Sequence, residues 1–378
     1  MTANHVIAER ASDATAAVRH RGRAMFFVIT GSLVVAVAAA FLQITLGAYD
    51  MTWHQAWSAL TDPAVWQSSV LVRLLFGEGI ARALHLPEAP ALTTSTLIVW
   101  NVRLPRVLVG LMVGTNLALS GAIFQAITRN ELASPYLLGV SSGAGLAVLL
   151  GLMVYPVLGA HLPLVAMLGG SAAFLAVYAI AWHHGTSPVR LVLAGVIIGA
   201  IAGSLQTLLF LMAKDLSTVQ NAMSWTVGSL TGTGWEQVRM IAPWTLASIV
   251  LGLSATRYLD VLLLGDPMAS ALGMNVERVR FLLAATAILA ASSAVAVSGL
   301  IGFVGLIVPH IVRTSVGSAH RRLLVGCLFA GPALLTAADV LARLAFAPVQ
   351  MPVGIVTGVL GGGFFLYLMR RRKEFGKL

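Results

Sequence analysis

Charge is what this chain has least of. Only 10% of its 378 residues are Asp, Glu, Lys or Arg, against about 25% in an ordinary soluble domain. That excludes a soluble globular fold. A single cysteine, Cys327, excludes an internal disulfide. No G-x-x-x-x-G-K-[ST] occurs, so the chain has no phosphate cradle and cannot itself hydrolyse ATP by that route. No H-E-x-x-H and no Cys/His cluster calls for a metal, and nothing calls for a cofactor. His183 and His184 adjoin, but neighbours on a helix do not face each other, so they read as a solvated pair. The formal charge of +10 comes from 24 basic against 14 acidic residues. The basic residues sit in short loops and at the termini, with no aromatic-interleaved basic face. Nucleic acid is therefore excluded as a partner.

What is abundant is apolar sequence, 58% of the chain. Crossing a bilayer takes about 20 such residues. Ten candidate spans follow: 25–46, 98–126, 138–154, 162–182, 191–212, 239–256, 281–299, 300–313, 323–342 and 353–369. The eighth is short and reads as a half-helix. The fold class is an all-α polytopic membrane protein. Residues 1–24 form a polar cytoplasmic tail rather than a cleaved signal, residues 25–370 the membrane domain, and 371–378 a cytoplasmic tail. With both termini in the cytoplasm, 17 of the 24 basic residues lie inside, as expected for loops that set orientation. Seven stay outside: Arg73, Arg82, Arg103, Arg106, Lys214, Arg239 and Arg343. These call for a reason.

Intramembrane acids are nearly absent, Asp339 near the outer end of the ninth span being the main one. A proton-coupled mechanism built on buried carboxylates is disfavoured, and uphill transport would draw its energy from another chain. The cytoplasmic stretch 257–280, "RYLDVLLLGDPMASALGMNVERVR", is where such a chain could push. Asp266 is placed as an N-cap, Pro267 at the first helical position and Gly273 at the C-terminal cap, giving two short surface helices. Glycines recur at helical spacing in "GVSSGAG", "LAGVIIGAIAG" and "GIVTGVLGGG". They allow close helix approach or line a path or subunit seam. Ser141, Ser142, Thr186 and Ser187, near inner span ends, either gate that path or cap helices. "LALSGAIFQ" and "AVSGLIGF" echo each other in oppositely directed spans, as inverted repeats would. The long outer segment 47–97 carries Trp53, Trp57 and Trp66. Tryptophan prefers the membrane interface, so the segment reads as a surface helix rather than a ligand site.

Seven motifs in order, from "RLPRVLVGLMVG" through "LALSGAIFQAITRNELASPYLLGVSSGAG", "RLVLAGV", "LLLGDPMASALGM", "GLIGFVGLIVPHIVR" and "ADVLAR" to "PVGIVTGVLGGGFFLYL", resemble permeases of the FecCD type, which serve ABC importers of iron-siderophore, haem and cobalamin. The resemblance implies the type II ABC importer permease fold with ten helices. It implies as partners a second permease subunit (the same chain or a sister), two cytoplasmic ATPase subunits and an extracytoplasmic binding protein. Gly265, Asp266, Pro267, Ala271, Leu272 and Gly273 would then couple to the ATPase, and Arg103, Arg106 and Arg343 would dock the binding protein. An iron-siderophore complex is the expected cargo, with haem or cobalamin as the alternatives. An ion-coupled secondary transporter without an ATPase is the rival class. Glu131 departs from the family, which commonly has proline there.

Overall fold

Apolar runs of about 20 residues, with no water to satisfy their backbone, suit helices rather than the shorter alternating strands of a closed barrel. The structure, a computed structural model, describes residues 2–47, 49, 51–66, 68–87, 90–136, 139–155, 157, 161–182, 187–213, 216–345 and 349–371. The first helix, α1 (Thr2–Thr45), runs straight through most of the expected N-terminal tail. Four short helices follow: α2 (Trp53–Leu60), α3 (Pro63–Trp66), α4 (Ser68–Phe76) and α5 (Glu78–Ala83). Then α6 (Thr94–Ile98) passes through a π-helical turn, Val99–Arg103, into α7 (Leu104–Thr128). The central helices are α8 (Val140–Met153), α9 (Leu162–Ala181), α10 (Pro188–Leu211), α11 (Leu216–Val227) and α12 (Trp235–Ser254). Two short ones, α13 (Thr256–Leu262) and α14 (Asp266–Ala271), precede α15 (Val276–Ser298), α16 (Val304–Val316), α17 (His320–Leu344) and α18 (Val353–Arg371).

Each of the ten expected spans has a helix at its place, but not each helix is long enough to cross. Among the described residues seven helices are, or eight if the bent pair α12–α13 counts as one span. The eighth expected span, α16, is a 13-residue piece, and α8, expected as a full span, has 14 residues. At 1.5 Å per residue both fall well short of a hydrocarbon core of about 30 Å. About half of each is buried against neighbouring helices. The helix α11, between the fifth and sixth spans, had no counterpart in the span count. Its mixed polar and apolar residues hide it from a hydropathy reading.

At the centre lies α7, buried along nearly its whole length and packed against α12, α15, α16 and α17. Glycine explains how so many helices fit around it. A Cβ on Gly114 would stand 2.5 Å from the Gly331 carbonyl oxygen of α17, and one on Gly121 would fall inside the Gly305 carbonyl of α16. Polar side chains then stitch the packed helices. Asn116 Nδ2 donates to Thr245 Oγ1 and Ser293 Oγ, both at 3.0 Å. Ser120 Oγ donates to the Ala287 carbonyl at 2.6 Å. Interhelical bonds of this kind contribute about 0.6–2 kcal/mol in a membrane.

The echo between the second and seventh spans does not mark equivalent positions. Gly121 is in mid-helix, whereas Gly299 ends α15 with φ +69°. Its positive φ lets the chain turn there at little cost.

Gly121→Val should separate α7 from α16 and lower the thermal unfolding midpoint in detergent sharply, since overpacking costs about 1–3 kcal/mol even where backbones can give. Gly31→Ala on α1, where an added Cβ meets nothing within 4 Å, should leave that midpoint close to the parent. Equal effects from the two substitutions would contradict the packing account.

Candidate functional site

The charged residues of the bundle gather at its two ends, joined by α7. At one end, the guanidinium of Arg103 donates to the carbonyls of Ile44 (2.5 Å), Thr45 (2.9 Å) and Tyr49 (2.6 Å). Arg343 donates to the carbonyls of Gln43 at 3.3 Å and Leu46 at 2.7 Å. The last carbonyls of a helix have no partner inside it and carry a partial negative charge. Two arginines from α7's entry and α17's exit thus cap the terminus of α1. Gly47 passes between them, and a side chain there would strike both guanidinium groups.

Arg106 does something different. Its Nε and Nη2 meet Asp339 Oδ2 and Oδ1 at 2.9 and 2.7 Å, a two-pronged pair. Its Nη1 donates to Gln350 Oε1 at 3.0 Å. Asp339 is wholly buried and Arg106 is 7% exposed. The pair joins α7 to α17 and to the segment leading into α18. Sequence reasoning took Arg103, Arg106 and Arg343 for outward docking cations. The structure places all three at one end, around a cavity of about 300 Å³, but Arg103 and Arg106 are buried and bound to their own chain. They are not free surface charges.

At the other end, α14 is short and half out of the protein, with Met268 and Leu272 more than half exposed and Ala269 turned inward. The expected cap is displaced by one residue. Gly265 is the N-cap, with φ 99°, and Asp266 is the first helical residue. Gly273 does take the left-handed conformation expected of a C-terminal cap, φ +80°. Because Asp266 does not cap, its carboxylate is used elsewhere. It accepts from Arg280 Nη2 of α15 at 2.8 and 2.9 Å and from Arg129 Nη2 at the end of α7. Partial burial pushes the Asp266 carboxyl up, but the Arg280 hydrogen bond and the charges of Arg280 and Arg129 outweigh it and hold it below its usual value. Arg129 also donates to the Leu262 carbonyl at 3.2 Å and ends α7 with φ 49°. A non-glycine residue in that region is uncommon and is held there by its contacts.

A second tether lies beside this one. Asp260 of α13 accepts from the backbone N–H of His320, at the start of α17, at 3.0 Å, and its oxygen is 2.8 Å from the ring Nδ1. Glu131, the departure from the family pattern, faces His310 at 3.5 Å and Arg313 at 3.4 Å on α16. None of these partners was identified from sequence. Arg129 lies 137 residues from Asp266 and Asp260 lies 60 from His320, separations that no short motif records, whereas Arg280 lies 14 from Asp266 within the same stretch 257–280.

The four residues proposed as a gate are less informative. Ser141 is buried in the first turn of α8, and the backbone carbonyl of Ser142 accepts from Gln206 Nε2 at 2.7 Å. Ser187 is the N-cap residue of α10 but makes no side-chain capping bond. Thr186, with His183 and His184, lies outside the described residues. At the arginine end, a cavity of about 340 Å³ lined by Ser224, Ser229, Thr231, Thr233, Glu236 and Ser298 was not anticipated as a site. The run "SLTGTG" was its signal: hydroxyls with no apolar period.

Removing Arg106 should strand the buried charge of Asp339. Losing one partner of a buried pair costs about 3–5 kcal/mol, more than losing both. Arg106→Ala should therefore lower the detergent unfolding midpoint further than Arg106→Ala combined with Asp339→Ala. A double variant at least as unstable as the single would refute the pairing.

The pattern of the FecCD transport family matches residues 33–371. The chain is 36% identical to the hemin transport system permease protein HmuU of Yersinia pestis, over 90% of this chain and 95% of that one. It is 40% identical to the Fe(3+) dicitrate transport system permease protein FecD of Escherichia coli strain K12, over 73% and 86%. A solved inward-facing metal-chelate type ABC transporter superposes with a TM-score of 0.75 at 26% identity, covering 91% of this chain and 99% of that chain. These relatives are transport subunits and not enzymes. The chain belongs to the FecCD transport family and is a permease of the ABC importers that family serves.

Proposed function

We propose that the chain carries an iron-siderophore complex inward across the plasma membrane, as half of a permease pair driven by two ATPase subunits. Haem is the second reading, favoured by the extent of the match to the hemin permease. The observation that carries the proposal is α14. A short helix with exposed Met268 and Leu272, strapped to the core through Asp266, suits a contact that another chain pushes against. In this reading the α14 end faces the cytoplasm and the arginine end faces out, in keeping with the basic residues of the loops. Gly265, Pro267, Ala271 and Gly273 shape the helix. Leu272 meets the ATPase. Asp266 passes the displacement on to α7 and α15.

The permease partner would sit along α10 and α18. These are the least covered of the later spans, and Gly203, Gly358, Gly362 and Gly363 have nothing within 4 Å of an added Cβ. Where glycines face neighbours, as on α7, they mark close approach. Open ones on uncovered helices suit a helix from a second subunit. Cargo would cross at that seam, with Ser141, Ser142, Thr186 and Ser187 at its inner end.

The binding protein would dock at the arginine end. Arg103 and Arg106 are engaged internally, so they would act by field rather than by direct fork contacts. Three guanidinium groups and one buried carboxylate leave positive potential there, which speeds encounter with an acidic partner. Its association with the reconstituted transporter should slow as salt rises from 0.1 M to 1 M, where the Debye length falls from about 10 Å to about 3 Å. A salt-independent rate would exclude this docking mode.

Asp266→Asn should leave the protein folded in the membrane and ATP hydrolysis running, with uptake of the ferric chelate into vesicles much reduced. The sign of its pH dependence follows from the lowered carboxyl. The tether is present above the ordinary carboxylate pKa and is lost only as pH falls through the lower value in the folded protein. Coupling in the parent should thus hold through mild acid. Uptake by the asparagine variant equal to the parent's would remove Asp266 from the mechanism, and uptake driven by an ion gradient with no ATPase present would establish the rival class.

A further inference from the structure

The segment between α1 and α6 contains a helix built the wrong way round for a soluble protein. On α2, Ala56 and Ala59 are buried, at 1% and 3% exposure, while Trp53 and Trp57, one turn apart, are 58% and 56% exposed. The small side chains face the protein and the large apolar ones face away. The helix is firmly specified. Thr52 Oγ1 accepts from the Gln55 N–H at 3.3 Å, and Gln55 Oε1 accepts from the Thr52 N–H at 2.9 Å. It is also anchored. Trp100 Nε1 donates to the Ala59 carbonyl at 2.9 Å, and Thr96 Oγ1 donates to Asp62 Oδ2 at 2.8 Å, just beyond the end of α2. A third indole, Trp66, stands edge-on to Trp100 at 5.8 Å and is 59% exposed, its own N–H satisfied by the Leu60 carbonyl at 3.0 Å.

The anchor fixes the depth. From Leu104 to Thr128, α7 has 25 residues, about 37 Å of helix, enough to cross the hydrocarbon. Arg103 and Arg106 are the only charged residues from Thr94 to Thr128, and the edge of that region is placed at them because charge is costly deeper in the membrane. Trp100 lies three residues beyond Arg103 and six beyond Arg106, about 4.5–9 Å further out at the helical rise, which overlaps a headgroup zone about 5–8 Å deep on each side. Because α2 is bonded to Trp100, it lies at the same level. It also follows closely on α1, most of whose apolar surface is uncovered. Its indoles therefore continue a lipid-facing surface at the height where tryptophan is most stable. His54, Gln55 and Ser58, also exposed, supply polar groups beside them.

We propose that α2, with Trp66 beside it, is an interfacial float. Trp53, Trp57 and Trp66 insert into the headgroup–acyl boundary of the leaflet at the arginine end and hold the outer end of α1 and α7 at fixed depth. The partner is the lipid surface itself, independent of cargo and of the coupling role of α14.

Trp53→Phe combined with Trp57→Phe keeps the apolar area, and its spectrum subtracted from the parent's isolates the two indoles. The assembled transporter is reconstituted in phosphatidylcholine brominated either near the headgroup or near the chain end. The difference emission should be blue-shifted relative to indole in water, lose most of its intensity with the shallow bromines, lose less with the deep ones, and be unchanged by the binding protein. Emission typical of water, quenched by iodide and by neither lipid, would overturn the proposal, as would a change on adding the binding protein that leaves the bromines without effect. Strongest quenching by the deep bromines would overturn it too. A nitroxide at Trp57→Cys gives an independent reading, because Cys327 is fully buried. The label should relax faster with oxygen than with an aqueous nickel chelate, and the reverse order would contradict the float.

Discussion

The close approach of α7 to α16 and α17 sets the terms for the rest of this molecule. Glycines at positions 114, 121, 305 and 331 let backbones meet where side chains would hold them apart. Lipid tails are as apolar as leucine, so helices in a bilayer gain little from hiding apolar surface and depend on packing and hydrogen bonds. With α7 held on several sides, its two ends become fixed points. Arg106 at one end and Arg129 at the other hold their partners relative to a rigid rod rather than to a loop.

That rod makes sense of two clusters whose residues are scattered through the sequence. At the arginine end, guanidinium groups saturate the carbonyls that end α1 and neutralise the buried Asp339. At the α14 end, a carboxylate on a half-exposed helix is shared by Arg280 and Arg129. The first arrangement locks. The second connects an exposed element to the core, and α13 adds a further link through Asp260 to the start of α17. In the proposed coupling, a push on α14 would reach α7, α15 and α17 together.

Much of this was legible in the sequence, and for identifiable reasons. Apolar run length located the spans, because the bilayer imposes one period and one length. Pro267 and Gly273 announced a short helix at 266–271, because turn chemistry is local. The arginines expected to face outward were found by their breach of the charge bias, but the groups they bind were not. A guanidinium that breaks the bias can be answering a carbonyl or a carboxylate from another helix, and Asp339 was visible as a lone buried acid without its partner being evident. Asp266 was placed as a cap for the same reason: capping is local and its true partners are not. The half-length of α8 was missed because hydropathy measures composition and does not fix where a helix ends.

The central claim is that α14 moves as one body with α7 and α15 because Asp266 ties them. The most direct test is a distance between spin labels at Met268→Cys on α14 and Leu282→Cys on α15, both exposed, measured in the assembled transporter without nucleotide and with ATP trapped. The account predicts one narrow distance, unchanged by nucleotide, in the otherwise unmodified chain, and a broadened, nucleotide-dependent distribution once Asp266→Asn is added. A distribution that shifts with nucleotide while Asp266 is intact, or one that stays narrow without it, would contradict the account.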